Sequence, residues 1–232
     1  MLLKRKPKDP KNEKYWTEED EVFSFEYEPD RVLYSNDFEQ DLDGWYARTP
    51  LPEHYDYNNY KVVVEKTDEE AHSGSHCMKV YGRRESWNGA ALDITKYLKP
   101  GVFNYEVMVW VKLRPDANPA RIRIMSEMYE VGCSIDFPNF EVFDDYCDYR
   151  GVLSKFRLPV GSGEDDWDTR YPPNYATSDG WVLLRGKKEI NASRYSAVMV
   201  YLETYKETNS EENTDVDVND IYIDDFVLLT GK

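Results

Sequence analysis

Two short segments of the chain each carry a tyrosine and a glutamate two positions apart. Glu127 and Tyr129 stand in "SEMYE", and Tyr201 and Glu203 stand in "VMVYLETY". An ionised carboxylate only accepts hydrogen bonds, whereas a tyrosine ring offers an apolar face beside a polar tip. Such pairs suit a ligand with both hydroxyl groups and apolar faces. Alternatively, Glu127 and Glu203 could form the acid/base pair of a glycoside hydrolase, which requires carboxyl groups ~5–9.5 Å apart.

A tryptophan in a polar setting is the next candidate. Trp87 lies in "YGRRESWNGAALDIT", where two arginines, a glutamate and an asparagine surround it. A tryptophan needed only for packing usually has apolar neighbours, because burial of its ring is what stabilises the fold. The position of Trp87 among polar residues is therefore a question that packing alone does not answer.

The elements that carry these residues are predicted to be β-strands. Apolar and polar residues alternate in segment after segment, and turn residues such as "HSGSH", "KPG" and "SDGW" separate them. The seven predicted strands are 61–66, 77–82, 105–113, 120–131, 181–187, 196–205 and 220–229, with further strands possible near Val32 and Leu92. This pattern predicts an all-β fold, an antiparallel β-sandwich.

Alternation also assigns side chains to faces, because neighbours in a strand point to opposite sides of the sheet. The predicted core side of two strands comprises Ile122, Ile124, Met128, Val198, Val200 and Leu202. The predicted outer side comprises Arg121, Arg123, Met125, Glu127, Tyr129, Met199, Tyr201, Glu203 and Tyr205. Both tyrosine–glutamate pairs therefore point away from the core. The alternative is that these tyrosines only cover the outer face of the sheet.

Composition narrows the class of ligand. The chain has 232 residues and a formal net charge of −16, which disfavours nucleic acid and anionic membrane surfaces. No apolar run approaches the ~20 residues that a membrane-spanning helix needs. A neutral, hydroxyl-rich and partly apolar ligand remains, and a polysaccharide fits that description.

The predicted domain organisation is a single module with two irregular regions. Residues 1–30 are charged and predict an N-terminal extension or linker, residues 31–232 form the module, and residues 133–178 form a long loop insertion. Of three cysteines, Cys133 and Cys147 could close that loop by a disulfide, or all three could be reduced thiols.

Several motifs together resemble carbohydrate-binding module family 22, the xylan-binding modules of xylanases. The resemblance lies in "SNDFEQDLDGWYART", then "AHSGSHCMKVYGRRESWNGAALDITKYLKPGVFNYEVMVWVK", then "MVYLET" and "IYIDDF". It covers roughly residues 35–229 except most of 133–178, and parts of it are shared with the sandwich modules of families 4, 9 and 16. The resemblance implies a β-jelly-roll sandwich that binds its polysaccharide in a cleft on one sheet.

The resemblance also implies which residues bind sugar. The carbohydrate-binding positions of the family fall on Arg48, Trp87, Tyr129, Tyr201 and Glu203. A structural calcium ion is implied as cofactor, with Glu39 and Asp224 as carboxylate ligands and backbone carbonyls near Asp37 and Ser73. Hard oxygen ligands of this kind suit calcium. Arg84, Tyr205 and the insertion have no counterpart in the family.

The resemblance favours a non-catalytic module that binds xylan or a mixed-linkage β-glucan of the plant cell wall. We expect it to target an attached glycoside hydrolase, such as a xylanase, within a larger secreted, extracellular bacterial enzyme. Two alternatives remain at this point: a jelly-roll glycoside hydrolase that uses Glu127 and Glu203, and an adhesion or scaffold domain.

Overall fold

The computed structural model describes residues 31–48, 62–83, 88–115, 117, 120–131, 135–136, 141–142, 148–152, 175–176, 178–204 and 220–230. The predicted extension 1–30, Trp87, Cys133, Cys147 and most of the insertion 133–178 lie outside these ranges. Cys77 is a free, buried thiol, and burial raises its pKa to about 12.

The described residues are almost entirely β-structure. The strands are β1 (Val32–Asn36), β2 (Tyr46–Arg48), β3 (Val63–Thr67), β4 (Cys77–Tyr81), β5 (Gly89–Asp93), β6 (Val102–Leu113), β7 (Ala120–Glu130), β8 (Ile135–Asp136), β9 (Glu141–Val142), β10 (Asp148–Val152), β11 (Tyr175–Ala176), β12 (Val182–Asn191), β13 (Tyr195–Thr204) and β14 (Ile221–Thr230). The helical residues of the described ranges form two 3-10 turns, Thr95–Tyr97 and Ala192–Arg194. No helix in this part of the chain is long and apolar enough to span a membrane.

Two six-stranded antiparallel sheets make up the sandwich. The first sheet has the order β12-β6-β14-β4-β3, and β1 also pairs with β14. The second sheet has the order β10-β7-β13-β5-β2, and β11 also pairs with β7. Strands distant in sequence are neighbours in both sheets, which confirms the all-β sandwich predicted from the alternation.

The core lies between the two sheets, as the alternation predicts. The residues assigned to the core side of β7 and β13 all belong to one buried cluster, which also contains Val107, Val109, Val111, Ile221 and Ile223 of the first sheet. The side chains that β7 and β13 direct to the other side of the second sheet form a separate cluster, which includes Met125, Tyr129, Met199 and Tyr201. The face assignment of both strands is therefore confirmed.

A bulge in β14 shapes one edge of the first sheet. The register of β14 against β6 shifts between Asp224 and Val227, and Asp225 has a φ of 47°. Aspartate tolerates this left-handed conformation better than most residues do, and an extra residue bends a strand. The first half of β14 consequently pairs with β4, and its second half pairs with β1.

Candidate functional site

The candidate site is the outer face of the second sheet, the side opposite the core. Four strands supply it: β2 with Tyr46 and Arg48, β5 with Gly89 and Ala91, β7 with Arg123, Met125, Glu127 and Tyr129, and β13 with Met199, Tyr201 and Glu203. In the register of β13 against β7, Tyr201 lies opposite Met125 and Glu203 lies opposite Arg123. We call this set the outer face.

The side chain of Arg48 reaches across the outer face from the edge strand β2. Its Nη2 donates to Glu127 Oε2 at 2.9 Å, and its guanidinium carbon lies 4.2 Å from the centroid of the Tyr201 ring. A guanidinium over an aromatic ring is attracted by the electrons of the ring face, more strongly where water is excluded. Three residues from separate strands are thereby held together.

A second ion pair lies further along β13. Arg123 Nε donates to Glu203 Oε2 at 2.8 Å, from the directly opposite position on β7. Cross-strand partners of opposite charge stabilise a sheet, and a hydrogen bond between charged groups is stronger than a neutral one. The charges of Arg48, Glu127, Arg123 and Glu203 therefore add up to zero.

The outer face is buried to an extent that alternation alone does not predict. Tyr129 is 1% exposed and Tyr201 is 3% exposed, and Arg48, Glu127 and Glu203 are also buried. Tyr46 lies beside Met199, with its hydroxyl 3.1 Å from the sulfur, and desolvation raises the pKa of this tyrosine well above its ordinary value. The rings are thus packed in a water-poor layer.

Glu127 and Glu203 are not arranged as a hydrolytic pair. They lie on neighbouring strands, as the enzyme alternative requires, but Glu127 is four positions along β7 from the residue that faces Glu203. Four strand positions separate their backbones by about 13 Å along the strand. Each carboxylate is also engaged by a different arginine.

Trp87 itself lies outside the described residues, but both sides of its segment are described. Arg83 and Asn88 are buried, and Arg83 Nε donates to the carbonyl oxygen of Asn88 at 2.5 Å. Burial lowers the pKa of Arg83 to about 9. A Cβ on Gly89 would lie 2.6 Å from the carbonyl oxygen of Leu202, so only glycine allows β5 and β13 to approach here. The chain that carries Trp87 therefore starts and ends beside Glu203.

The structure brings four of the five predicted carbohydrate-binding residues, Arg48, Tyr129, Tyr201 and Glu203, onto the outer face. The sequence motifs assigned neither Arg123 nor Tyr46 to the site, and they left Glu127 as either a ligand-facing partner of Tyr129 or a catalytic acid. Alternation had placed Arg123 and Glu127 on the correct side. Their partners depend on strand order and register, which alternation does not supply.

Two of the predicted metal ligands, Glu39 and Asp224, contact the turn between β3 and β4 from other segments of the chain. Glu39 Oε1 accepts hydrogen bonds from the backbone N–H groups of Ser75 and His76, which lower the pKa of Glu39 to about 2. Asp224 accepts from the N–H groups of His72 and Ser73, and burial and the adjacent Asp225 raise its pKa to about 6. The carboxylate of Asp37 accepts from the N–H of Glu39.

The fit of these residues to a calcium ion is partial. Asp224 is fully buried, and in the described part of the chain its hydrogen-bond donors are backbone N–H groups. A buried carboxylate of this kind suits a cation. The described residues contain no group of three or more acidic, histidine or cysteine side chains that could hold a metal. Backbone carbonyls would therefore have to complete the ligand set, as the sequence analysis expected.

Comparisons with known proteins identify one matching family. Residues 30–129 match the family described as "Carbohydrate binding domain". A comparison with curated protein sequences finds no match.

Among solved structures, the chain is similar to the CBM22-1 xylan-binding domain of Paenibacillus barcinonensis Xyn10C, with 22% identity, a TM-score of 0.58 and coverage of 87% of this chain and 95% of the other. It is similar to the C-terminal family 22 module of Clostridium thermocellum Xyn10B, with 16% identity, a TM-score of 0.58 and coverages of 88% and 97%. It also matches the CBM22-1–GH10 modules of that xylanase complexed with xylohexaose, at 15% identity and a TM-score of 0.56, over 88% of this chain and 29% of the other. At identities this low, the structural similarity establishes the fold alone.

The fold is a β-sandwich of the kind seen in solved family 22 xylan-binding modules. Residues 30–129 of the chain match a carbohydrate-binding domain family. The resemblance stated from the motifs predicted this fold. Each of the solved structures named above is a carbohydrate-binding module or contains one.

Proposed function

We propose that the chain binds xylan, or a related mixed-linkage β-glucan, on the outer face. The observation that carries the proposal is the convergence of Arg48, Tyr201 and Glu203, three residues that sequence motifs assigned to sugar binding, within one layer of a single sheet. Sugar rings present apolar C–H faces and hydroxyl edges. The tyrosines match the first property, and the arginine and glutamate match the second.

The charge distribution supports a neutral ligand. The two ion pairs of the outer face cancel, whereas the whole chain carries −16. An acidic polysaccharide would approach against the overall charge and would meet no excess of cations among these four groups. An uncharged xylan or glucan encounters no such penalty.

Access to the outer face is part of the proposal. Tyr129 and Tyr201 are nearly inaccessible in the free protein, so a sugar can contact their rings only if the atoms that cover them move aside. Association that requires such a rearrangement is slower than rigid docking. Arg48 and Glu203 are also buried but slightly more exposed than these rings, and we expect the ligand to pair with them first.

The biological role follows from attachment to an enzyme. In one similar structure a family 22 module and a GH10 module form one polypeptide. We infer that this chain works in the same way in a secreted bacterial enzyme, and that tethering raises the local concentration of a glycoside hydrolase on plant cell-wall polysaccharide.

Affinity electrophoresis against soluble xylan, mixed-linkage β-glucan and polygalacturonate tests the proposal. We expect xylan or the mixed-linkage glucan to retard the protein and polygalacturonate to leave its mobility unchanged. Incubation with xylan should release no reducing sugar. Retardation by polygalacturonate alone, or by none of the three, would contradict the proposed function.

The calcium ion remains a proposal. Glu39 and Asp224 bind successive parts of the turn 72–76 from two separate segments, so an ion between those segments would tie β14 to the residues that follow β1. The ion would supply positive charge to the buried carboxylate of Asp224. Because these residues are on the first sheet, the ion would have a structural role.

Chelation tests the calcium proposal. We expect thorough treatment with EDTA to lower the melting temperature, because loss of a ligand bound only to the folded state removes its stabilisation. Xylan binding measured on the chelated protein should be nearly unchanged. Restoration of the melting temperature by calcium serves as the control. An unchanged melting curve, with no calcium found by elemental analysis, would rule the ion out.

A further inference from the structure

We propose that Glu127 is a positioning residue that sets the preference of the outer face for uncharged glycans. It holds the guanidinium of Arg48 against Tyr201 and cancels its charge. This inference rests on the proposed function, since it concerns which polysaccharides the same face accepts. The family resemblance did not assign Glu127 to sugar binding, although alternation placed it beside Tyr129 on the outer side of β7.

The geometry of the contact requires a long reach across the sheet. Arg48 is on β2 and Glu127 is on β7, and the strands between them are β5 and β13. On β5, the outer face carries only Gly89 and Ala91 along the path, because Arg48 faces Gly89 and Tyr201 faces Ala91. These small residues let the arginine side chain lie flat over the sheet and reach the carboxylate.

The same contact fixes the position of the guanidinium. Nη2 of Arg48 is 2.9 Å from Glu127 Oε2, and the guanidinium carbon is 4.2 Å from the centre of the Tyr201 ring. Glu127 is 1% exposed and Arg48 is buried, so water competes little for either group. A charged hydrogen bond in such an environment is strong and directional. Glu127 thus restricts the guanidinium to one orientation over Tyr201.

Charge is the second consequence. The formal charges of the two ion pairs, Arg48–Glu127 and Arg123–Glu203, add up to zero. Removal of the carboxylate of Glu127 would change this total charge to plus one. A guanidinium donates two parallel hydrogen bonds to a planar carboxylate, so a uronic acid could take the place of Glu127 beside Arg48. The native carboxylate occupies that position and repels a second one.

The test compares Glu127→Gln with wild type, using xylohexaose as the neutral ligand and a glucuronic-acid-substituted xylo-oligosaccharide as the acidic one. We expect roughly tenfold weaker binding of xylohexaose in calorimetry, in line with the loss of one charged hydrogen bond. The affinity ratio of acidic to neutral ligand should rise by about tenfold or more. Binding of the acidic ligand should also become weaker as salt is added.

Glu130→Gln is the matched control. Glu130 is on the same strand and also pairs with an arginine, Arg194, but both side chains are largely exposed. This variant removes the same charge from the protein without touching the outer face, so both affinities should equal those of wild type. A purely global charge effect would shift the two variants equally and would overturn the inference.

Arg48→Gln keeps the inference testable if Glu127→Gln fails to fold. It changes the same charge sum to minus one, so the ratio of acidic to neutral affinity should fall below that of wild type. In the Arg48→Gln background, Glu127→Gln should have little further effect on xylohexaose binding, because Glu127 acts through Arg48. An unchanged affinity ratio in both single variants, with xylohexaose bound at wild-type strength by Glu127→Gln, would refute the inference while leaving the proposed function intact. Failure of the wild type to bind any xylan would refute the proposed function instead.

Discussion

The charged residues of the outer face are arranged in pairs, and each pair combines one group assigned to sugar binding with one that was not. Arg48 pairs with Glu127, and Glu203 pairs with Arg123. A ligand-binding group that is held by a partner loses less conformational freedom when the ligand arrives. We therefore expect the partners to contribute to affinity even where they do not contact sugar.

Glu203 offers the clearest test of a direct contact. We expect Glu203→Ala to weaken xylan binding by about 1.5–3 kcal/mol, or roughly 10- to 150-fold, because a charged acceptor for sugar hydroxyls is lost. Glu189→Ala is the control, since Glu189 is exposed on β12 of the opposite sheet. Calorimetric titration with xylohexaose measures both variants. Equal affinities for Glu203→Ala and wild type would mean that Glu203 is structural.

Trp87 remains a prediction from sequence, and its substitution tests the platform. Trp87→Ala should reduce binding by more than about 2 kcal/mol, the usual cost of truncating a central aromatic contact, with little change in melting temperature. Trp181→Ala is a matched control, because Trp181 is half-buried and packs edge-on against His72, which stacks on Trp110 of the first sheet. A large fall in melting temperature for Trp87→Ala would show that this tryptophan is a core residue.

The sequence predicted much of the site at this scale, and its limits have a physical cause. Alternation places Tyr129, Tyr201 and Glu203 on one face because the period of a strand is fixed by backbone geometry. The contact between Arg48 and Glu127 joins residues 79 positions apart, and it depends on which strands are neighbours. The burial of Tyr129 and Tyr201 depends on what lies over the sheet, and no local pattern encodes that.

The strands position the site through their order and their close approach. β2, β5, β13 and β7 are consecutive in the second sheet, although β5 and β7 are separated in sequence by β6 of the first. The strong apolar alternation of β6, β7, β13 and β14 made these strands predictable. β2 is only three residues long and β11 only two, so neither is long enough to show the alternation of apolar and polar residues that identifies a strand.

Gly89 tests how much the spacing of β5 and β13 matters. A Cβ at this position would lie 2.6 Å from the carbonyl oxygen of Leu202, the residue before Glu203. We expect Gly89→Ala to destabilise the fold by about 1–3 kcal/mol, as overpacking does, and to weaken xylan binding by displacing Glu203. Thermal melting and calorimetry measure the two effects.

Gly180→Ala is the control for this substitution. Gly180 has an ordinary backbone conformation, and a Cβ there would meet nothing within 4 Å. Its melting temperature and affinity should match those of wild type. If Gly89→Ala also behaves like wild type, the approach of the two strands does not position the site.

On the scale of the whole molecule, the two sheets carry different proposed sites. The second sheet carries the outer face and its paired charges, whereas the first carries the turn 72–76 with the proposed calcium ligands Glu39 and Asp224. Because the core lies between them, a change on one sheet can alter stability without reaching the ligand. This separation is the reason to expect that chelation lowers stability and preserves binding.

The most direct test of the account is a map of where a xylo-oligosaccharide binds. Backbone amide resonances of the labelled protein, followed during titration with xylohexaose, report which residues meet the ligand. We predict that the largest shifts cluster on the second sheet, at Arg48, Ala91, Tyr129, Tyr201 and Glu203. Shifts concentrated instead around Trp110 and Trp181 on the first sheet, or no shifts at saturating ligand, would contradict the assignment of the outer face as the binding site.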